Sequence, residues 1–353
     1  MAKQTASKEK TPKQKASNRK PINLALQGGG SHGAFAWGVL DRLLEADCFD
    51  IEGIVGTSAG AMNAAVLAHG LAVGGPATAR AELRRFWEGV SETTRYSMLK
   101  PSWLDRMIKP GSMEFSPGYQ MMDALTRMLS PYQLNPSNIN PLRDVLASVV
   151  KCEDLRGCTS VKLHICATNV MSGKIRVFQN QDVSIDAVLA SACLPFLFQA
   201  VEVDGEHYWD GGYMGNPPIY PLIYDCAARD VLIVQINPIR IEELPTTAHA
   251  ILDRINTLSF NSSLMREMRA IHFVTKLIDN GFNDEGRLKR MLIHTIDAEE
   301  QLRGFGASSK LNAEMEFLER LYTLGRERAD AFLTDHFDKV GVESSTDITE
   351  KFL

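Results

Sequence analysis

The chain has 353 residues and a net charge of −5, with 44% hydrophobic and 23% charged residues. This composition is typical of a folded globular protein, and the acidic balance excludes a general nucleic-acid-binding protein. The charge is unevenly distributed, because residues 1–20 carry seven lysines and arginines but one glutamate.

Residues 1–20 contain no large apolar side chain after Met1. Such a segment cannot offset its ordering entropy by burial, so we predict a disordered basic tail. It also lacks the apolar run that a signal peptide requires. Two roles remain open: a solvating extension, or an electrostatic contact with anionic lipid headgroups, to which each cation contributes about 1 kcal/mol.

From residue 22 onwards, strand patterns and helix patterns alternate. Strand patterns cover residues 22–27, 51–55, 161–167, 174–178, 201–203, 207–209, 231–236 and 291–296. Helix patterns cover residues 34–45, 59–69, 76–92, 185–193, 248–279 and 311–337. The alternation predicts an α/β fold with a mainly parallel sheet. We expect one catalytic domain over residues 21–340, with its motifs in residues 22–236 and a helical part at 237–340, followed by a frayed tail at 341–353.

Residues 96–140 depart from this alternation, because they contain five prolines together with many methionine and aromatic side chains. Proline interrupts regular structure, while the apolar side chains favour burial. Two interpretations remain open. The segment is either an irregular part of the core or a cap over the active site that presents apolar side chains to lipid.

A serine stands in the pentapeptide formed by Gly56, Thr57, Ser58, Ala59 and Gly60, between a strand pattern and a helix pattern. This context, more than the common G-x-S-x-G pattern itself, indicates a nucleophile elbow. The tight turn exposes the serine, and the start of the following helix favours a developing oxyanion. We therefore predict Ser58 as a nucleophile. The alternative is an N-cap serine in an ordinary strand-to-helix turn.

Four glycines, Gly28, Gly29, Gly30 and Gly33, directly follow the first strand pattern and open a helix. Successive backbone N–H groups without side chains form an anion-binding nest, which in an acyl hydrolase holds the oxyanion. The same glycines match the dinucleotide-binding pattern G-x-G-x-x-G. That alternative requires an acidic residue at the end of the second strand, whereas the acidic residues here stand at its beginning.

Asp210 follows an apolar strand pattern and precedes Gly211 and Gly212. On its own this sequence is a common turn. Combined with the two other motifs, it predicts a carboxylate directed at the Ser58 hydroxyl.

A histidine base after the acid, as in the usual order of a serine–histidine–aspartate triad, is not evident. The histidines that follow Asp210 all lie within helix or strand patterns or near a helix end: His249, His272, His294 and His336. His32 lies at a helix start in the glycine loop, where it suits backbone donation better than proton relay. The simplest mechanism therefore uses Asp210 directly as the base for Ser58.

These three motifs, in this order, resemble those of the patatin-like phospholipase family. The resemblance extends over residues 22–236 and includes the segments 190–198 and 216–218. It implies a three-layer α/β/α fold and hydrolysis of fatty acyl esters without a metal or another cofactor. His32 occupies a position where the family often carries arginine or lysine, which argues against a charge-based role for this position.

The resemblance also implies roles for individual residues. The implied site consists of the nucleophile Ser58, the base Asp210, the oxyanion-hole residues Gly28, Gly29 and Gly30, and the supporting glycines Gly33, Gly56, Gly60, Gly211 and Gly212. The helical part at 237–340 carries no motif of the family.

We expect a lipid acyl hydrolase that cleaves phospholipids, lysophospholipids or general fatty acyl esters through an acyl-serine intermediate. Two alternatives stay open: an enzyme acting on another ester, such as a storage polyester or acyl thioester, and a non-catalytic lipid-binding protein. The expected partner is lipid, with peripheral membrane contact and without nucleic acid. Scattered cysteines and the lack of about 18 consecutive apolar residues predict a cytoplasmic protein without a spanning helix.

Overall fold

The structure, a computed structural model, describes residues 19–95, 97–282 and 285–353. Within these residues, eight strands form one sheet. They are β1 (Lys20–Leu26), β2 (Phe49–Thr57), β3 (Lys162–Asn169), β4 (Ile175–Gln179), β5 (Val201–Val203), β6 (Glu206–Asp210), β7 (Asp230–Gln235) and β8 (Leu292–Asp297). Hydrogen-bonded neighbours follow one another in the series β5-β6-β3-β2-β1-β7-β8, and β4 also pairs with β3. Neighbours among β3, β2, β1, β7 and β8 are parallel, whereas β4, β5 and β6 form antiparallel pairs.

Helices connect and flank these strands. They are α1 (Gly33–Ala46), α2 (Ala59–Thr93), α3 (Trp103–Ile108), α4 (Pro117–Met128), α5 (Pro131–Leu134), α6 (Leu142–Val149), α7 (Cys152–Gly157), α8 (Ile185–Ser191), α9 (Tyr220–Asp225), α10 (Ala248–Asp279), α11 (Glu299–Arg303), α12 (Met315–Asp335) and α13 (Ile348–Phe352). A break at Gly75, before Pro76, divides α2 into the two predicted helices. In the described parts of the chain, none of these helices is long and apolar enough to cross a bilayer.

The sheet has helices on both faces. Because side chains alternate along a strand, Leu24 and Leu26 of β1 belong to one core, with α1, α2, α6, α8 and α12. Ala25 belongs to the other core, with α9, α10 and α13. Strands buried on both faces are typical of parallel sheets between helix layers. The predicted three-layer α/β/α fold is therefore confirmed.

The predicted basic tail lies outside the described residues, except for Arg19 and Lys20. Its boundary at residue 20 is wrong, because Lys20 begins β1. The Lys20 ammonium donates hydrogen bonds to the carbonyls of Phe337 and Val340 at 2.8 and 3.0 Å. A lysine can start a strand when its charged end finds such acceptors at the surface.

The predicted frayed tail at residues 341–353 is also wrong. The Ile293 N–H of β8 donates to Ser344 Oγ at 3.0 Å, and the Thr346 N–H donates to the Ile293 carbonyl at 3.1 Å. Asp347 then caps α13, and Phe352 is 1% exposed in the second core. The chain end is thus anchored by both hydrogen bonds and apolar burial.

The proline-rich segment, for which Tyr96 lies outside the described residues, forms the short helices α3, α4 and α5. Trp103 is 67% exposed, and Met107, Ile108 and Phe115 are exposed as well. The interpretation as an irregular part of the core is therefore wrong for these four side chains. Met113 of the same segment, by contrast, is buried. We call the surface formed by Trp103, Met107, Ile108 and Phe115 the apolar cap surface.

Candidate active site

Ser58 occupies the turn between β2 and α2. Its φ of 55° lies in the left-handed region, a strained conformation for a serine. The Ser58 N–H donates to Ser191 Oγ of α8 at 2.9 Å, and the residue is 7% exposed. This is the strained strand–turn–helix geometry of a nucleophile elbow.

The sheet brings Asp210 next to this turn. β2 pairs with residues 162–166 of β3, and β4 pairs with residues 164–168, so these two strands occupy opposite edges of β3. β6 pairs with residues 167–169 and must share the edge of β2, since β4 occupies the other. Thr57 pairs with Cys166, and Asp210 pairs with the next residue, Ala167. Asp210 therefore lies in line with the end of β2, where Ser58 begins.

The Asp210 carboxylate is fully buried. Its Oδ1 accepts a hydrogen bond from the Gly212 N–H at 2.7 Å. Its Oδ2 has no hydrogen-bond partner among the described residues. Burial raises the pKa of Asp210 to about 7, against smaller opposing effects of the Gly212 N–H, the Ser58 hydroxyl and the Lys310 charge. Such a group can accept a proton near neutral pH.

The glycine loop lies directly against Ser58. A Cβ atom on Gly28 would be 2.5 Å from Ser58 Cβ, so a side chain there would displace the nucleophile. Gly30 has a φ of 59°, which favours glycine. The Gly28 N–H is engaged, since it donates to Asn216 Oδ1 at 2.7 Å. The N–H groups of Gly29 and Gly30, by contrast, have no acceptor in the described part of the chain.

The remaining predicted glycines surround these groups. Gly33 begins α1, Gly56 lies in β2, Gly60 is the second residue of α2, and Gly211 and Gly212 begin the short 3-10 helix after β6. The structure thus brings the residues of all three motifs together at one end of the sheet.

Histidines take no part in this arrangement within the described residues. His32 Nε2 forms a hydrogen bond with Ser309 Oγ at 2.8 Å, and burial, followed by the charge of Lys310, lowers the pKa of His32 to about 3. His32 is therefore neutral. His294 is bonded to Asp230 and Ser345 near the start of β8.

Four polar residues of the site escaped sequence reasoning. They are Gln27, Ser191, Asn216 and Lys310. Ser191 and Asn216 lie in the two segments, 190–198 and 216–218, that resemble the family. This resemblance marked the segments but indicated no role for either residue. Gln27 bonds the Asn216 carbonyl and the N–H groups of residues 236 and 237. Lys310 comes from the part without a motif, so no signal in the sequence identified it.

A surface groove of about 480 Å³ lies elsewhere, between the C-terminal end of α2 and the start of α12. Its lining includes Glu88, Arg95, Arg106 and Glu314. This lining has charges of both signs but does not combine a strained nucleophile with a buried base, so it does not favour catalysis. Within the described residues, no cluster of three or more histidine, cysteine or carboxylate side chains is arranged to hold a metal ion.

Fold and site together define a class of protein: a three-layer α/β protein in which a glycine loop, a strand–turn–helix serine and a strand-end aspartate meet. The family model "Patatin-like phospholipase" matches residues 24–223, more than half of the chain. The chain therefore belongs to the patatin-like phospholipase family, whose members are lipid acyl hydrolases.

Solved structures give more distant similarities. VipD from Legionella pneumophila is 14% identical, with 95% of this chain and 73% of VipD covered and a TM-score of 0.41. ExoU, in the heterodimeric ExoU–SpcU complex from the type III secretion system of Pseudomonas aeruginosa, is 16% identical, with 90% of this chain covered and a TM-score of 0.35. This chain spans 53% of ExoU. No protein of curated function matches the chain.

Proposed function

We propose that this protein hydrolyses fatty acyl carboxylic esters of lipids through a Ser58–Asp210 dyad. The observation that carries the proposal is the strained Ser58 beside a buried carboxylate whose Oδ2 is unpaired among the described residues. A base works best when its pKa is near the operating pH, and the pKa of about 7 for Asp210 meets this condition.

In the proposed mechanism, Ser58 Oγ forms a bond to the acyl carbon while its proton passes to Asp210 Oδ2. The electron pair of the carbonyl π bond moves to the carbonyl oxygen, which becomes the oxyanion. When this intermediate collapses, the alcohol leaves and takes the proton from Asp210. Asp210 then takes a proton from a water molecule, whose oxygen forms a bond to the acyl carbon. When this second intermediate collapses, the bond to Ser58 Oγ breaks, the fatty acid leaves, and the proton returns from Asp210 to Ser58 Oγ.

The oxyanion requires donors that have no other acceptor. Gly29 and Gly30 have such N–H groups in the described part of the chain, and the N-terminal end of α2 adds a favourable dipole. We assign Gly28 a different role from its neighbours. Its N–H is held by Asn216, and its lack of a side chain makes room for Ser58.

A lipid substrate, met at a membrane surface, is supported by exposed apolar side chains. Besides the apolar cap surface, α10 exposes Ile251, Ile255 and Leu258. Their spacing puts them on one face of the helix. The start of α10 lies close to the cap segment, since a Cβ atom on Gly306 would be 3.0 Å from Glu114 Oε1 and 3.6 Å from Asp253 Oδ2. We propose that this surface contacts lipid peripherally.

The test is labelling of the purified protein with a fluorophosphonate, followed by intact-mass and peptide mass spectrometry. We expect one adduct, on Ser58, and none in Ser58→Ala. The control variant Ser160→Ala should label normally, because Ser160 is exposed and lies just before β3, away from the site. Ser58→Ala should also abolish cleavage across a panel of phospholipids, short-chain esters, thioesters and polyesters, and the preferred substrate in that panel identifies the ester class.

An adduct on another serine, or turnover retained by Ser58→Ala, would contradict the dyad. A folded wild-type protein that neither labels nor cleaves any ester, yet binds vesicles, would instead support the non-catalytic alternative.

A further inference from the structure

Lys310 brings a positive charge from the C-terminal part of the chain to the glycine loop. It lies in the short 3-10 helix Ala307–Leu311. A Cβ atom on Gly30 would be 2.3 Å from the Lys310 carbonyl oxygen, so the two backbones are in close contact. The Lys310 ammonium donates a hydrogen bond to Asn237 Oδ1 at 2.8 Å.

Asn237 connects this ammonium to the backbone beside the nucleophile. Asn237 is buried, and its Nδ2 donates to the Gly28 carbonyl at 2.7 Å. Gly28 in turn contacts Ser58, as described above. The position of Lys310 is thus fixed relative to the loop by one side-chain hydrogen bond and one backbone contact.

Among the described residues, Lys310 is the charged group that acts on Asp210. The other titratable groups around Asp210 are Cys166 of β3, Cys193 after α8 and Tyr213 after β6. Burial raises the pKa of each of these three groups, so they are neutral near pH 7. The charge of Lys310 lowers the pKa of Asp210.

In the part of the chain that the structure describes, three groups interact with Lys310 itself: Asp253 of α10, Asp210 of β6 and the neutral His32. Burial lowers the pKa of Lys310, while the charges of Asp253 and Asp210 raise it. The residue as a whole is partly exposed, but its ammonium is buried, and this burial is the largest effect on its pKa.

We propose that Lys310 is a positioning residue of the Ser58 site: it holds the loop of Gly28, Gly29 and Gly30 in place through Asn237, and it supplies the positive charge that acts on Asp210. This inference rests on the proposed Ser58–Asp210 function. During acylation, the negative charge leaves Asp210 as it takes the serine proton, and a negative charge develops on the substrate oxygen at the loop. The anionic Asp210 and the oxyanion both lie in the site that Lys310 borders. The positive charge of Lys310 therefore stabilises the negative charge before and after the proton transfer.

The experiment measures the second-order rate constant for fluorophosphonate labelling of Ser58 between about pH 5 and 10. In Lys310→Met we expect the acidic limb of the profile to move to higher pH by about one unit, because Asp210 loses its cation, and the maximal rate to fall about tenfold. Lys310→Arg should keep the acidic limb of the profile. Its rate constant should not decrease at alkaline pH, since guanidinium does not deprotonate in this range. Lys174→Met, at an exposed site, is the matched control and should match wild type.

A profile of Lys310→Met with an unmoved acidic limb would overturn the proposal, and so would an equal loss at every pH together with a lower melting temperature. If Lys310→Met does not fold, Asp253→Asn tests the same charge without altering the lysine. It should move the alkaline limb to lower pH, and an unmoved limb would refute the inference. Asp210→Asn separates the two proposals: if it labels at the wild-type rate, the dyad itself fails, whatever Lys310 does.

Discussion

Asp210 is the residue of the site whose burial is most unfavourable for the free energy of folding. Ionising a fully buried carboxylate is unfavourable for folding when one oxygen has no partner, as for Oδ2 here among the described residues. A core position would normally avoid this arrangement by adding a hydrogen-bond donor or replacing the acid. Such a group beside a strained serine is expected where stability is exchanged for chemistry. Removing the base should therefore affect activity much more than folding.

We expect Asp210→Asn to reduce turnover of a soluble ester by about three or four powers of ten, the scale of a lost general base. The wild-type rate should rise with pH through about 7, because Asp210 must be ionised to accept the serine proton. Steady-state kinetics over pH, with melting temperatures of both forms, provide the measurement.

The matched controls are His32→Asn and His294→Asn. Neither histidine is bonded to Ser58 or Asp210 in the described residues, so both variants should keep most of the activity. A histidine variant that is as inactive as Ser58→Ala, at normal stability, would replace the dyad with a triad.

The residues that meet in the candidate site could be predicted from the sequence because each belongs to a short motif with a local cause. Ser58 depends on a strand–turn–helix sequence, and the glycine loop depends on successive residues. Asn216 and Lys310 could not be assigned roles in this way. Their roles arise from contacts between distant parts of the chain, 188 residues apart for Asn216 and Gly28. Sequence spacing carries no information about such a contact.

At the scale of elements, the apolar cap surface is the feature that composition left ambiguous. Prolines predicted an interruption of regular structure, and the segment contains the separate helices α3, α4 and α5. Composition could not tell which apolar side chains are exposed, since Met113 and Trp103 differ in burial although both lie in the same segment. The difference comes from tertiary contacts, such as the hydrogen bond from the Met113 N–H to Ser308 Oγ. By contrast, α10 has the predicted bounds, because a long periodic pattern identifies a helix well.

We expect Trp103→Ala to reduce turnover on phospholipid vesicles several-fold while leaving soluble ester turnover and the melting temperature nearly unchanged. The reason is that an exposed tryptophan contributes little to folding but favours the headgroup region of a bilayer. Vesicle and soluble assays, with thermal unfolding, measure the three quantities.

Phe273→Ala is the matched control for this prediction. Phe273 is an exposed aromatic residue near the C-terminal end of α10, away from the cap. It should leave vesicle turnover intact. Parallel losses in both assays for Trp103→Ala would refute the lipid contact.

At the scale of the whole molecule, the basic residues at the N-terminus give a third prediction. Deletion of residues 1–18, which carry five lysines and one glutamate, should weaken binding to anionic vesicles at low salt. The cut spares Lys20, whose hydrogen bonds belong to the fold, and Arg19, which pairs with Asp47. Turnover of a soluble ester should not change. Vesicle co-sedimentation at low and high salt measures the effect, and equal binding by both forms at low salt would exclude the electrostatic role.

The opposite end of the chain is expected to contribute to stability and not to catalysis. α13 is short and would not be stable alone, so its order depends on Phe352 packing in the core shared with α9 and α10. Sequence reasoning missed it because a five-residue helix carries no detectable period, and its anchors at Ser344 and Thr346 are contacts with distant β8.

Phe352→Ala should lower the free energy of unfolding by about 3–5 kcal/mol, the usual cost of removing a fully buried phenylalanine. Leu353→Ala, at the half-exposed last residue, is the matched control and should change it by less than about 1 kcal/mol. Denaturant unfolding at neutral pH measures both values. Soluble ester turnover well below the melting temperature should remain normal in both variants, because the chain end anchors to β8 near the beginnings of the parallel strands, whereas Ser58 lies beyond the end of β2. An unfolding free energy of Phe352→Ala equal to that of wild type would mean that the C-terminal helix does not close the second core.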